Sequence, residues 1–221
     1  ECLPAVIHVA SRTVATHALS IFGDHSDIYA VRQTGFCMLA SASPLESYHM
    51  AIIAHLASLK GSLPFIHFFN GFRTSHELNV VDTLNEEDLL PLVPKKELEE
   101  FKNRALNPLK PINYGMNQNE DVYFQTVEAR SPLYDNMPDI VENYMEKLNE
   151  LAHTNYHPFT YYGSSDAENV IIAMGSVTDT ISLVVDEEIK KGKKIGVIAV
   201  HLYRPFSPKY LEKVLPKTVK K

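Results

Sequence analysis

An arginine stands where a buried strand is expected to end. Arg12 follows the uncharged residues 5–11, and a guanidinium in that position is costly to bury unless it meets an anion. Its planar fork matches a carboxylate with two parallel hydrogen bonds, so binding of a carboxylate substrate is one interpretation. A structural ion pair with Asp24 or Asp27 is the alternative, and the residue types alone leave both open.

Two further arginines, Arg32 and Arg73, are expected to end the next two strands. Parallel neighbouring strands share one carboxyl edge, which is where α/β folds bind ligands. We therefore expect all three guanidinium groups to gather at that edge. For Arg32 and Arg73 the sequence favours a structural ion pair over a ligand contact.

Other groups with chemical potential carry weaker signals. Residues 173–176 form a strand–glycine–helix turn that could hold a phosphate on its N–H groups, but the single glycine favours a plain tight turn. His17 and His25, and likewise His49 and His55, lack the i, i+4 spacing of a helical zinc site. The sequence therefore assigns no metal ligand and no phosphate loop.

The elements that would position Arg12 alternate between strand and helix. Buried strands are expected at residues 5–9, 27–32 and 63–69, and a short helix at 13–22. A longer helix begins with Ser43 as its cap, Glu46 completing a capping box, and Gly61 is expected to supply the left-handed stop. Strand, helix and strand at this spacing form a βαβ unit, hence a parallel sheet.

The second half of the chain repeats the alternation after a less regular stretch. Residues 85–107 are expected to be helical, 107–138 to form a long ordered excursion, and 153–166 to connect two domains. A second βαβ unit follows, with strands at 170–174 and 195–200. The predicted fold is α/β, with a parallel-sheet domain at 1–155 and a Rossmann-like domain at 156–221.

Composition excludes several classes of function. The chain has 221 residues, a net charge of −6 and two cysteines, so bulk charge gives no case for nucleic acid. Cys37 lies in an apolar run without a basic neighbour, which indicates an inert core residue. The low cysteine content indicates a reducing compartment, and no apolar run is long enough for a membrane span. Because the chain opens almost directly on a strand, we expect a piece of a longer polypeptide.

Six segments, in order along the chain, carry a family resemblance: residues 8–12 (HVASR), 16–25 (THALSIFGDH), 32–36 (RQTGF), 71–77 (GFRTSHE), 174–177 (MGSV) and 202–207 (LYRPFS). They resemble pyruvate:ferredoxin (flavodoxin) oxidoreductase of the long single-chain type. The first four segments are similar to the second half of its pyrimidine-side thiamine domain, and the last two to the start of its next domain.

The resemblance implies an activity and its cofactors. Enzymes of this family use thiamine diphosphate with Mg²⁺ to decarboxylate pyruvate oxidatively with coenzyme A, giving acetyl-CoA and carbon dioxide. Electrons leave through [4Fe–4S] clusters to ferredoxin or flavodoxin. The resemblance also implies a homodimer, the remaining domains of the same polypeptide as partners, and a cytoplasmic location, or an organellar one in an anaerobic eukaryote. Arg12 matches the arginine that grips the pyruvate carboxylate.

Several family features are absent from this sequence. The magnesium-binding Gly-Asp-Gly run and the cluster cysteines are missing, and Asn70 stands where an aspartate is expected. No cofactor-binding residue is therefore assigned within the chain, and activity of this segment alone is not expected. Two other interpretations stay open: a non-catalytic interaction or scaffolding domain derived from the family, and a nucleotide-binding module that uses Gly175 and Ser176.

Overall fold

Two β-sheets with helices on their faces organise the chain in a computed structural model, which describes residues 2–112 and 117–221. The elements follow in this order: β1 Val6–Ser11, α1 Ser26–Val31, β2 Cys37–Ser41, α2 Pro44–Gly61, β3 Phe65–Asn70, α3 Glu86–Leu89, α4 Lys95–Asn103, α5 Glu120–Glu128, α6 Ser131–Ala152, β4 Phe159–Gly163, β5 Asn169–Ala173, α7 Val177–Lys190, β6 Ile195–Val200, β7 Leu202–Arg204 and α8 Pro208–Val214. The predicted mixed α/β fold with parallel strands is confirmed.

The first sheet has the strand order β1-β3-β2-β7. β1, β3 and β2 are parallel, so their carboxyl ends meet at one edge, and β7 returns antiparallel beside β2. Helix α2 crosses from β2 to β3 and packs between the sheet and α6. The core between them contains the fully buried side chains of Leu39, Met50, Ile53, Phe65 and Met145. Burial of these apolar side chains holds the sheet edge in a fixed geometry.

The expected strand at residues 27–32 is wrong, because this segment forms helix α1. Local hydrogen bonds account for the difference: Asp27 Oδ1 accepts from the Ile28 N–H at 2.7 Å, and Asp24 Oδ1 accepts from the Ser26 N–H at 2.9 Å. Carboxylates that satisfy the first free N–H groups favour a helix start. The second strand is instead β2, in the apolar run that contains Cys37.

The expected helix at residues 13–22 is also wrong, because these residues form an irregular loop. The N–H of Thr13 donates to the carbonyl of Phe22 at 3.0 Å, which closes the loop on itself. The loop leaves the sheet edge after β1 and returns to it before α1. It therefore places Gly23, Asp24 and His25 close to the end of β1.

Helix α2 begins as predicted and ends slightly differently. The Ser43 Oγ accepts from the Glu46 N–H at 3.2 Å, whereas the Glu46 side chain reaches the N–H of Ala42, one residue before the cap. The left-handed residue after the helix is Ser62, with φ +50°, and not Gly61. A Cβ on Gly61 would lie 2.3 Å from Met137 Cε. Close packing of α2 against α6 therefore explains this glycine.

Two stretches that are expected to be irregular contain regular secondary structure. The described part of residues 107–138 contains α5 and the first turns of α6, while residues 113–116 lie outside the described part of the chain. The expected connection at 153–166 contains β4, which pairs antiparallel with β6. Pairing with a distant strand decides this assignment, and a local sequence pattern does not contain that information.

The second sheet has the order β4-β6-β5, with β5 and β6 parallel and joined through α7, as the second βαβ unit predicts. Its core contains Phe159, Ile198, Val200 and Tyr210. Among the described residues, none of the helices combines the length and the apolar character that crossing a membrane requires.

Candidate functional site

The carboxyl edge of the first sheet brings together residues from three parts of the chain. The register pairs Ser11 at the end of β1 with Asn70 at the end of β3, so Arg12 emerges beside Gly71. The amino end of α7 reaches the same place, where the Ser176 N–H donates to Asn70 Oδ1 at 2.9 Å. These residues meet at the carboxyl edge of the parallel strands, which is where α/β folds bind ligands.

The guanidinium of Arg12 contains one donor atom without a partner in the described part of the chain. Its Nη1 atom is buried and has no hydrogen-bond partner among the described residues. The ion pairs of those residues involve lysine and histidine cations and no arginine. A buried, unpaired guanidinium donor is costly. Among the described residues, the alternative of a structural ion pair between Arg12 and Asp24 or Asp27 is therefore not observed.

Asp27 contacts the main chain next to Arg12 and not its guanidinium. Its Oδ2 accepts from the Arg12 N–H at 2.9 Å, and its Oδ1 accepts from the Ser11 hydroxyl at 2.8 Å. The Nη1 donor of Arg12 thus remains available for another acceptor. In chemical terms this arrangement offers a half-buried cation to an anion such as a carboxylate.

The expected gathering of three arginines is partly confirmed. Arg73 follows β3 and lines a cleft at the same edge as Arg12. Arg32 is at the end of helix α1, where its Nη1 donates to the carbonyl of Tyr29. It does not belong to the sheet edge, because the segment that was expected to be a strand is a helix.

Asn70, Gly175 and His25 pack tightly together beside Arg12. Gly175 has φ +82°, and a Cβ there would lie 2.5 Å from Asn70 Oδ1 and 2.9 Å from His25 Cε1. A glycine is needed because L residues rarely adopt this conformation and no space exists for a side chain. Burial lowers the pKa of His25, although the charges of Asp27 and Asp24 oppose this. The Ser176 N–H is already bonded to Asn70, which agrees with a plain tight turn.

A cleft of about 780 Å³ opens next to these residues. Its lining comes from the segments after β1, β2 and β3 and from the first turn of α7. The polar side chains that line it are Asn70, Arg73, Thr74, His76, Glu77, Ser176, Asp179 and Thr180. Arg12 is not among the lining residues; its guanidinium lies against Gly71, which stands between the lining residues Asn70 and Phe72. Phe72, with φ +63°, follows Gly71 and also lines the cleft, so strained backbone lies at this edge.

A buried ion pair lies under the junction of the two sheets, and sequence reasoning missed it. His201 Nε2 contacts Glu46 Oε1, and His201 Nδ1 donates to the carbonyl of His157 at 2.8 Å. Burial raises the pKa of Glu46, yet the His201 charge outweighs it and the net pKa is lowered. Burial lowers the pKa of His201, and Glu46 more than compensates, so the net pKa is raised. The pair ties α2 to the start of β7.

His67 is a buried, hydrogen-bonded histidine of the core. Its Nε2 lies 3.0 Å from Ser41 Oγ, and its Nδ1 lies 2.9 Å from His8 Nδ1. Burial lowers the pKa of His67 to about 3, so the ring is neutral. Burial likewise raises the pKa of the Cys37 thiol to about 12. Among the described residues, no cluster of three or more His, Cys, Asp or Glu side chains is placed to hold a metal ion.

Two family models match the chain. The model described as pyruvate flavodoxin/ferredoxin oxidoreductase, thiamine diphosphate-binding, matches residues 1–146. The chain belongs to this family. The model described as pyruvate:ferredoxin oxidoreductase core domain II matches residues 167–221. The resemblance inferred from the six short segments is confirmed.

Curated relatives cover the whole chain at high identity. The chain is 50% identical over 221 residues to the pyruvate:ferredoxin oxidoreductase of Moorella thermoacetica and 49% identical over 219 residues to the pyruvate-flavodoxin oxidoreductase of Enterobacter agglomerans. It is 48% identical to the mitochondrial pyruvate dehydrogenase [NADP(+)] of Euglena gracilis. The chain spans 19% of the length of the first two relatives and 12% of the third.

A solved structure shares the fold. The 2-oxoglutarate:ferredoxin oxidoreductase from Magnetococcus marinus aligns with a TM-score of 0.57 at 14% identity, over 99% of this chain and 40% of that one. At this identity the likeness concerns the fold alone. It agrees with the parallel-strand α/β architecture that carries the Arg12 edge.

Proposed function

We propose that this chain forms part of a pyruvate:ferredoxin or flavodoxin oxidoreductase, and that Arg12 binds the carboxylate of the 2-oxo acid. The observation that carries this is the unpaired, buried Nη1 of Arg12. It lies in a chain that belongs to the family and that matches pyruvate oxidoreductases at about half of its positions. In the intact enzyme the reaction is the oxidative decarboxylation of pyruvate with coenzyme A to acetyl-CoA and carbon dioxide.

The role of Arg12 is to bind and orient the substrate. A guanidinium donates two parallel hydrogen bonds to a carboxylate. These two bonds fix the distance and the orientation of the neighbouring keto carbon relative to Arg12. Correct orientation of a bound reactant lowers the barrier because entropy is lost on binding and not in the chemical step. Thiamine diphosphate, when bound by the intact enzyme, supplies the electron sink for decarboxylation.

The metal centres are assigned to other parts of the longer polypeptide. Two cysteines are too few to ligate a [4Fe–4S] cluster, and no group of three or more His, Cys, Asp or Glu side chains converges among the described residues. We therefore place Mg²⁺ and the [4Fe–4S] clusters outside this chain, together with the contacts to ferredoxin or flavodoxin. Residues 1–155 would belong to the pyrimidine-type domain and 156–221 to the next, within a homodimer in the cytoplasm or, in an anaerobic eukaryote, an organelle.

Substitution of Arg12 in the intact enzyme tests the proposal. We expect Arg12→Leu to raise the KM for pyruvate by roughly 10- to 100-fold, because a charge-assisted contact is worth about 1.5–3 kcal/mol. Arg32→Leu is the matched control, since that arginine is exposed on α1. An unchanged KM for pyruvate in Arg12→Leu would overturn the assignment. An intact chain that binds no thiamine diphosphate would instead support a non-catalytic scaffold.

A further inference from the structure

We propose that Asp27 is a positioning residue for binding of the substrate carboxylate, because it fixes the main chain at Arg12 and leaves the guanidinium free. The inference rests on the proposed function of Arg12. Asp27 itself contacts the main chain and the Ser11 hydroxyl, and neither the substrate nor the guanidinium. Its contribution is the geometry of the arginine.

Both oxygens of the Asp27 carboxylate accept hydrogen bonds from residues next to it in the fold. Oδ1 accepts from the Ser11 hydroxyl at 2.8 Å and from the Ile28 N–H at 2.7 Å, and Oδ2 accepts from the Arg12 N–H at 2.9 Å. The carboxylate thus joins the end of β1 to the start of α1. An ionised carboxylate is the side chain that can accept at both oxygens without offering a donor.

Two glycines complete the enclosure of this peptide unit. A Cβ on Gly71 would lie 1.8 Å from Arg12 Nη1 and 2.3 Å from the Ser11 carbonyl oxygen. A Cβ on Gly23 would lie 2.7 Å from that same oxygen. The Gly71 N–H donates to the Ser11 carbonyl at 2.8 Å. Backbone packs against the Ser11–Arg12 peptide from two sides, and Asp27 holds it from a third.

Positioning and simple electrostatics predict opposite effects of neutralising Asp27. Removal of a negative charge near Arg12 makes the local potential more positive, which by itself strengthens binding of a carboxylate. An asparagine in this position must turn its NH₂ group toward either the Arg12 N–H or the Ile28 N–H. Two donors then face each other, one hydrogen bond is lost, and the arginine shifts. Positioning therefore predicts weaker binding despite the more favourable charge.

The experiment compares Asp27→Asn with Asp24→Asn in the intact enzyme. Asp24 is exposed, accepts from the Ser26 N–H at 2.9 Å and makes no hydrogen bond to residues 11 or 12. Asp24→Asn therefore removes the same charge from the same loop without changing the contacts of Arg12. We expect Asp27→Asn to raise the KM for pyruvate by roughly tenfold, the size expected for one lost charge-assisted hydrogen bond. The KM for coenzyme A and the bound thiamine diphosphate should stay unchanged, and Asp24→Asn should leave the pyruvate KM near that of the parent.

A second variant guards against a general loss of folding. Ser11→Ala removes one hydrogen bond to Asp27 and keeps the charge, so it should raise the pyruvate KM in the same direction by a smaller factor. A lowered or unchanged pyruvate KM in a folded Asp27→Asn enzyme would overturn the positioning role while Arg12→Leu remains impaired. If Arg12→Leu also has an unchanged KM, the proposed function itself has failed.

Discussion

Asn70 Oδ1 accepts a hydrogen bond from the backbone N–H of Ser176 at 2.9 Å, although 106 residues separate them. Asn70 is the last residue of β3 and Ser176 precedes the first turn of α7. One amide oxygen therefore fixes the start of α7 to the sheet edge from which Arg12 emerges. The parts of the chain matched by the two family models meet at this bond.

Removal of the acceptor oxygen at residue 70 should lower the stability of the fold more than replacement of the Asn70 amide by a charged carboxylate. We expect Asn70→Leu to lower the free energy of unfolding by about 1–3 kcal/mol, because the half-buried Ser176 N–H loses its partner. Asn70→Asp keeps an acceptor oxygen in the same place and should stay close to the parent in stability. Denaturant unfolding of the two variants measures this, and equal losses in both would contradict the role of the hydrogen bond.

Gly71→Ala should disturb Arg12 directly. The added methyl group would lie 1.8 Å from Arg12 Nη1 and 2.3 Å from the Ser11 carbonyl oxygen, and the second neighbour is backbone that cannot turn aside. We expect a loss of about 1–3 kcal/mol of stability, typical of overpacking, together with a raised pyruvate KM in the intact enzyme. Thermal unfolding and steady-state kinetics give the two readouts.

Gly192→Ala is the control that separates a loss of stability from a direct effect on the pyruvate KM. Gly192 has φ +82° and no atom within 4 Å of its ideal Cβ position, so alanine there introduces backbone strain of about 1–2 kcal/mol without touching the site. Its pyruvate KM should equal that of the parent. If Gly192→Ala and Gly71→Ala raise the KM equally, general destabilisation accounts for the effect at Gly71.

The sequence predicts elements whose signals are local and misses those that distant contacts decide. The start of α2 is predictable because Ser43 and Glu46 hydrogen-bond within one turn. The strand expected at 27–32 fails because its apolar, β-branched character favours a strand, whereas Asp27 and neighbouring side chains satisfy the N–H groups of a helix start. β4 is missed because its partner β6 lies more than 30 residues downstream.

The same distinction applies to the candidate site. The position of Arg12 at the end of a strand is predictable from the apolar run before it, whereas the expected burial of that strand is wrong: β1 is an edge strand, and Ile7 is 49% exposed. The hydrogen bonds of Asp27 to Ser11 and Arg12 depend on how the loop before α1 folds back. The contact of Glu46 with His201 joins residues that no periodicity connects. These pairings become visible only when the sheet register is known.

The buried ion pair of Glu46 and His201 should make the free energy of unfolding depend on pH, with a loss at both low and high pH. The pKa of Glu46 is lowered from 4.5, so its contribution is present above about pH 4.5 and is lost as the pH falls. The pKa of His201 is raised from 6.5, so its contribution is present below about pH 6.5 and is lost as the pH rises through the raised value. Together they stabilise the fold most between about pH 4.5 and 6.5.

His201→Gln tests this window. Because the substitution leaves a buried carboxylate unpaired, we expect a loss of about 3–5 kcal/mol near pH 5.5, and a smaller loss below pH 4 and at alkaline pH. Lys96→Gln is the control: its pair with Glu100 is exposed at 3.8 Å, so removal should change stability by less than about 1 kcal/mol. A loss in His201→Gln that is constant from pH 4 to 9 would show that the pair is not ionised in the fold.

Cys37 should resist thiol reagents in the folded protein. Its side chain is fully buried and burial raises the pKa of the thiol to about 12, so only about 10⁻⁴ of it is thiolate at pH 8. Cys2 is half-buried and provides the internal comparison. We expect labelling at pH 8 to modify Cys2 first and Cys37 only after denaturant unfolds the chain, as mass spectrometry of the two peptides would measure. Labelling of Cys37 at the rate of Cys2 in native protein would mean that β2 opens to solvent, because the thiolate is the reactive form and it requires water to be stable.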